Sequence, residues 1–306
     1  MRSGPRAQPP GLRFAANPGR GEPELPIPRL APRQETTPAE LPNLQPAPGG
    51  RAADGPCTRD APRRDDPPAD LPDFMHAPNQ GGRPDLYELE NQAIDPDGLV
   101  ITAMRTLAPW AGRTMVDLGC GSGFWLPGYA GEAAEVIGVE PDPRLVPLAR
   151  SRDARVRVLR GSAEHIPLPD ASVDVVHARF AYFWPPNCGA GLGEVLRVLR
   201  PDGALIVVDN DHLHGEFADL LVAANNTAQG SGEITDSWWA RRGAERTQVL
   251  SRWQFQRRAD LESVLRLEFP GPVADAWLAA HPHVIGLTYG YLLFTVRAGL
   301  YRPDRQ

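Results

Sequence analysis

The chain has 306 residues, with 32 basic and 38 acidic side chains and a net charge of −6. An acidic balance argues against a general nucleic-acid binder, and no apolar run reaches the ~18 residues that would span a bilayer. Three cysteines (Cys57, Cys120 and Cys188) have neither CxxC nor metal-ligand spacing, which argues against a disulfide framework or a metal centre and fits a reducing cytoplasm.

Residues 1–74 hold 17 of the 34 prolines and show no apolar periodicity. Such a segment buries too little apolar surface to offset chain entropy, so a disordered Pro/Arg-rich tail is expected, with Met75 as an alternative start of translation. The folded part is expected over 75–306. A helix is expected over 95–107, capped by Asp95 or Asp97. A first strand over 114–118 stops at a run of glycines, and 124–130 begins a helix. A second strand follows over 135–139. Residues 142–150 have helical spacing at Leu145, Val146 and Leu148. Third and fourth strands are expected over 156–159 and 173–177. Leu192, Val195, Leu196 and Leu199 line one helical face, Pro201-Asp202-Gly203 ends that helix with a turn, and 205–208 is a fifth strand. After Asp209 the rhythm breaks. Residues 210–245 are polar, with Trp238-Trp239 embedded. A short strand near 253–256, helices around Leu261–Leu267 and over 273–280, and a last apolar strand over 285–296 complete the chain. Strands alternating with helices predict an α/β fold: a doubly wound, Rossmann-like, mostly parallel sheet.

In an open parallel sheet, ligands sit beyond the carboxyl ends of the strands. There Val116-Asp117-Leu118-Gly119-Cys120-Gly121-Ser122-Gly123 places three glycines at alternate positions. The dinucleotide spacing G-x-G-x-x-G is not met, because Phe124 follows Gly123. A P-loop needs a lysine, and the chain has none. Glu140, ending the second strand, can accept both hydroxyls of an adenosine ribose and would repel a 2′-phosphate. Asp117 can face an ammonium group, which a pyrophosphate cofactor does not require. An NAD-dependent oxidoreductase remains the weaker enzyme alternative.

Four blocks, "VDLGCGSGF", "VIGVEPDPRLVPLAR", "GSAEHIPLPDASVDVVHARFAYF" and "EVLRVLRPDGALIVVD", occur in this order over about 97–209. Together they resemble class I S-adenosylmethionine-dependent methyltransferases, in the small-molecule branch that includes the ubiquinone/menaquinone-biosynthesis type. The resemblance implies a seven-stranded sheet with an antiparallel last strand, supplied by "LTYGYLLFTVR", and S-adenosyl-L-methionine as cofactor. It also implies that Gly119, Cys120 and Gly121 line the methionine part, that Gly123 allows close helix packing and that Asp117 anchors the ammonium. Glu140 would take the ribose hydroxyls, and Pro141 and Asp142 would flank the adenine. Ser162, Ala163 and Glu164 would border the adenine edge, with Ser162 where many relatives have Asp. Ala178 and Arg179 would pass near the sulfonium.

The acceptor segments are expected at 83–97 and 210–258, the second as a lid. Tyr87, Phe180, Tyr182, Phe183, Trp238 and Trp239 are candidate pocket residues, the two tryptophans suiting equally an apolar lid or packing of the insertion onto the sheet, and Asp209, His212, His214 and Arg179 are candidate catalytic groups. A single His acting as base suits the Asp209-to-His214 run better than a metal site does. "WPPN" reverses the Asn-Pro-Pro-aromatic motif of N6-adenine methyltransferases and falls too late after the fourth strand, so nucleic-acid N-methylation is not expected. The expected acceptor is small and partly apolar, with O-methylation favoured, in a cytoplasmic monomer or homodimer that needs no membrane. A cofactor-binding interaction or regulatory protein without methyl transfer is the alternative from another class.

Overall fold

A computed structural model describes residues 82–224 and 231–302. The expectations for the 1–74 tail and for a start at Met75 lie outside those residues. Seven strands, β1 (Thr114–Leu118), β2 (Glu135–Glu140), β3 (Arg157–Arg160), β4 (Val173–Arg179), β5 (Leu199–Asn210), β6 (Glu245–Gln254) and β7 (Gly286–Arg297), form one sheet. Their order is β3-β2-β1-β4-β5-β7-β6. The pairs β1–β2, β1–β4, β2–β3 and β4–β5 are parallel, and β7 runs antiparallel to both β5 and β6. The order reverses between β1 and β4, where such sheets bind their ligands.

Alternation along each strand sorts the side chains onto two cores. The first core takes Met115, Val175, Ile206, Val208, Tyr289, Tyr291 and Leu293. It is covered by α1 (Pro84–Ala93), α2 (Leu99–Leu107), α3 (Leu126–Ala130), α4 (Val146–Arg150), α6 (Glu216–Ala223), α8 (Arg258–Glu268) and α9 (Gly271–Ala280). The second core takes Val116, Leu118, Val176, Ala178, Val207, Leu292 and Phe294, covered by α5 (Gly189–Val198) and α7 (Ser231–Arg241). Asp117, His177 and Arg179 therefore belong to the first-core face and Asp209 to the second.

Several boundaries move relative to the sequence reading, each for a local reason. Asp95 does cap, but from outside α2: its carboxylate accepts the N–H groups of Leu99, Val100 and Ile101, while Asp97 pairs with Arg252 instead. Pro201-Asp202-Gly203 is no simple turn. The β4–β5 register jumps from Val173↔Leu199 to Val175↔Ala204, so β5 begins before the proline and bulges over it. The Arg200–Asp174 pair at 2.6 Å fastens that bulge. The short strand near 253–256 is the end of a ten-residue edge strand that starts at Glu245. Within 210–245, α6 forms because Phe217, Ala218, Leu220 and Leu221 share a buried face. In α7, Trp238 and Trp239 are 3% and 1% exposed and sit in the second core. Trp239 stacks on Phe294 at 5.5 Å, and the Arg242 guanidinium lies 3.6 Å from the Trp238 ring. The described indoles are thus core anchors of the insertion; residues 225–230 of the expected lid lie outside the described residues.

Candidate functional site

The glycine loop leaves β1 with Gly119 N–H donating to the Val139 carbonyl at 2.8 Å, which ties it to the end of β2. Gly119, Gly121 and Gly123 have φ of 75°, 56° and 78°, left-handed values that glycine adopts without steric cost. Two of them are also needed for space. A Cβ on Gly123 would stand 2.7 Å from Ala149 Cα in α4, which is the close helix packing expected of that position. A Cβ on Gly119 would stand 2.6 Å from Ala181 Cβ, in the loop after β4. The Cys120 sulfur turns inward, because a Cβ on Gly138 would meet it at 2.8 Å, so Cys120 offers the loop only its backbone.

Glu140 closes the loop from the other side. Its carboxylate accepts Gly121 N–H at 2.8 Å and Asp142 N–H at 2.9 Å, one on each oxygen. Burial raises this carboxyl to about 7 against the two backbone donors that oppose the shift. Asp142 is buried and takes the Arg144 guanidinium at 2.6 Å. Asp117 sits beneath the loop, where burial raises it to about 7 and the charge of Arg179 opposes the rise. Two carboxyls at the ends of neighbouring strands thus flank three left-handed glycines.

Arg179, at the end of β4, lays its guanidinium 4.0 Å from the centre of the Trp125 ring. One of its nitrogens lies 3.5 Å from Met104 Sδ. His177 lies below it, wholly buried against Trp110 and Tyr129 with both ring nitrogens unpartnered, and burial lowers it to about 3. It is neutral across the physiological range. Over this face lies α1. Trp125 Nε1 donates to Asn91 Oδ1 at 3.1 Å, Glu88 pairs with Arg152 at 2.5 Å, and Arg152 donates to the Ser122 carbonyl at 3.0 Å. A groove of about 560 Å³ follows this seam between Pro84, Glu88, Ser122, Leu148 and Arg152.

The remaining expected residues divide between the two faces. Ser162 exchanges backbone hydrogen bonds with His165, and Ala163 is buried in the second core. Ala178 is fully buried there too, so only its backbone can meet a ligand. Phe180 and Tyr182 both have left-handed φ, 50° and 60°. Phe180 is half-buried near Tyr289 and Tyr291 on the first-core side. Tyr182 instead folds back: its hydroxyl donates to Glu164 Oε1 at 2.5 Å and accepts Gly191 N–H at 3.1 Å. Phe183, expected in the pocket wall, is 2% exposed and packs against Trp239. Of the catalytic candidates only Arg179 belongs to the Asp117 face. Asp209 projects from β5 to the second-core side and is raised by burial, with His212 nearby. His214 is held through Nδ1 by Asp211 at 2.8 Å and by Gln248 at 2.6 Å. These acids and imidazoles do not converge, and no group of three metal-ligating side chains occurs among the described residues.

Trp125, Asn91, Glu90, His177, Tyr289 and Tyr291 were not singled out from the sequence. The alternation 287, 289, 291 within "LTYGYLLF" was the available signal for the two tyrosines, since on one strand those positions share a face.

Residues 116–207 match the family model described as "Methyltransferase domain". An uncharacterized methyltransferase of Mycobacterium tuberculosis is 38% identical over 124 residues, covering 40% of this chain and 49% of that protein. A malonyl-[acyl-carrier protein] O-methyltransferase of Serratia marcescens is 32% identical over 95 residues, covering 31% of this chain and 37% of that one. Among solved structures, a SAM-dependent methyltransferase from Aquifex aeolicus aligns with 17% identity and a TM-score of 0.42, over 69% of this chain and 99% of that one. The chain spans about half the length, or less, of the curated relatives it matches.

Proposed function

From a chain that carries a class I S-adenosylmethionine-dependent methyltransferase domain, we propose that this protein transfers a methyl group to an oxygen of a small, partly apolar acceptor. The observation that carries the reading is the pair of carboxyls, Asp117 and Glu140, flanking the glycine loop at the switch point. They suit the cofactor's chemistry. Each Glu140 oxygen spends one lone pair on a backbone N–H and keeps another for a ribose hydroxyl. Asp117, buried under the loop, matches an ammonium. When bound, the cofactor supplies an electrophilic methyl on a sulfonium.

The chain's own work is to hold the acceptor in line and keep water out. Arg179, stacked on Trp125, presents a fixed positive charge on the Asp117 face, and Phe180 and Tyr87 provide half-buried aromatic surface beside it. A guanidinium there favours the ionised form of an acceptor oxygen. His212 and His214 stand apart from that face, so the reading favours an acceptor acidic enough to ionise without an imidazole, a carboxylic acid or a phenol. The Serratia relative is named as an O-methyltransferase, which supports oxygen as the acceptor atom. The resemblance to the ubiquinone/menaquinone branch adds an aromatic ring to the expectation.

The test is transfer of labelled methyl from S-adenosylmethionine to panels of phenols, carboxylic acids and amines, beside calorimetric titration of the cofactor. Arg179→Met should lower kcat/KM for the preferred acceptor by about 10²-fold, the cost of one charge-assisted contact at the reacting oxygen. Cofactor binding without transfer to any panel would favour the regulatory alternative.

A further inference from the structure

Glu90 lies on the inner face of α1, 8% exposed. Its carboxyl shares a hydrogen bond with Glu268, the last residue of α8. Burial and that neighbour hold Glu90 well above the usual carboxylate range. A buried carboxyl set against a half-buried one is a poor way to join two helices, since an apolar pair of similar volume would serve the fold better. Moreover Glu90 Oε2 has no hydrogen-bond partner despite its burial.

A second observation points to the same place. The hydroxyl of Tyr291, a side chain with no exposed surface, has only the Trp253 indole beside it. Tyr291 stacks on Tyr289 at 4.3 Å. The phenols of Tyr87 and Tyr289 both lie within range of the Glu90 and Glu268 charges, and Tyr87 and Tyr291 both lie within range of Arg179. The tyrosine cluster therefore lies within range of both the Arg179 guanidinium and the carboxyl pair.

We propose that Glu90 and Glu268 form the far end of the acceptor subsite and bind a protonated amine carried by the acceptor. The inference rests on the acceptor face assigned above. An acceptor with an acidic oxygen at Arg179 and an ammonium at Glu90 complements both ends, and the tyrosine rings between them favour an aromatic body and a neighbouring cation. A bound ammonium supplies the donor that Glu90 Oε2 lacks.

The experiment is calorimetry on the full chain saturated with S-adenosylhomocysteine. The ligands are tyramine, benzylamine and tryptamine, against neutral 4-ethylphenol and anionic 3-(4-hydroxyphenyl)propionate. At least one amine should bind tenfold or more tightly than 4-ethylphenol, and the anion should bind weakest. That preference should vanish in both Glu90→Gln and Glu268→Gln, which keep the side-chain size and hydrogen bonding and so preserve the thermal midpoint. Equal binding of amines and neutral phenol overturns the proposal, as does failure of every amine to bind or a preference that survives both substitutions. An amine that binds through Glu90 while no acceptor receives labelled methyl would sink the transfer reading and leave the subsite standing. Methyl transfer to amine-bearing phenols untouched by Glu90→Gln and by Glu268→Gln would do the reverse.

Discussion

The two halves of the site are built from different material. On the cofactor side the contacts run through backbone: Gly119 N–H on the Val139 carbonyl, and Glu140 on the amides of Gly121 and Asp142. All of these lie within 25 residues of sequence and inside the matched segment 116–207. On the proposed acceptor side the contacts run through side chains gathered from α1, α8, β4 and β7, where the Glu90 Oε2 atom remains without a partner. A backbone-built site tolerates little change, because its geometry is the fold's own geometry. A side-chain-built site can be re-cut residue by residue without disturbing the sheet. One half is suited to a constant ligand and the other to a variable one.

The comparison can be broken most forcefully at the insertion, which belongs to neither half if Trp239 is a core anchor. Trp239→Ala should cost about 3–5 kcal/mol of stability, as for a fully buried aromatic, measured by denaturant unfolding, with cofactor affinity in the folded fraction unchanged. A cost below about 1 kcal/mol would return the indole to a mobile lid.

The buried carboxyls of the cofactor half give the next effect. Asp117 and Glu140 titrate near 7 in the folded chain and near ordinary carboxylate values when unfolded. Between those values the folded state holds the extra protons. Stability of the free protein should therefore be greatest near pH 4 and fall as pH rises to about 7, by roughly 3–4 kcal/mol for each group that behaves this way. Cofactor binding as proposed uses the ionised forms, so the rise in thermal midpoint caused by saturating S-adenosylmethionine should grow between pH 6 and 8. Thermal scans with and without cofactor check both signs. A cofactor-induced shift that shrinks over that range would remove the carboxylates from the site.

Glu140→Ala should weaken cofactor binding by about 1–3 kcal/mol through lost ribose hydrogen bonds. It also leaves the Gly121 and Asp142 amides unpaired, so some thermal destabilisation should accompany it. Calorimetry showing unchanged affinity in the folded variant would sink the ribose assignment. The smallest effect belongs to the seam between the halves. Glu88 and Arg152 are both partly exposed, and Glu88→Gln should cost no more than about 1 kcal/mol. Its signature should be faster hydrogen exchange in α1, with β1 and β2 unaffected.

The same contrast explains what was legible in the sequence. The strands β1 to β4, the glycine turn and Glu140 announce themselves because short apolar runs buried on both faces and glycine φ are local properties. The paired Trp238-Trp239 stayed ambiguous between core and lid because the segment around it is polar, while its burial depends on Phe183 and Phe294, 55 residues before and after the pair. The length of β6 was hidden for a related reason. It is an edge strand with mostly exposed outer positions, so its apolar signal survives only near Trp253. Glu90 looked like one acid among several in "YELEN". Only the packing of α1 on α8 shows which of them faces inward.

Tyr182 carries a consequence of its own. With φ of 60° it holds a bend that a bulky residue rarely takes, and its ring lies where Gly191 leaves room. Its hydroxyl joins Glu164, beside the expected adenine edge, to the first turn of α5, while Ala181 next to it fills the space above Gly119. The corner is a mechanical weld between the proposed cofactor and acceptor sides. Drift in acceptor preference has free play in α1 and β7 but not here, where any change of shape is transmitted to the nucleoside end. A lineage altering its substrate would keep this tyrosine and rewrite the helix above it.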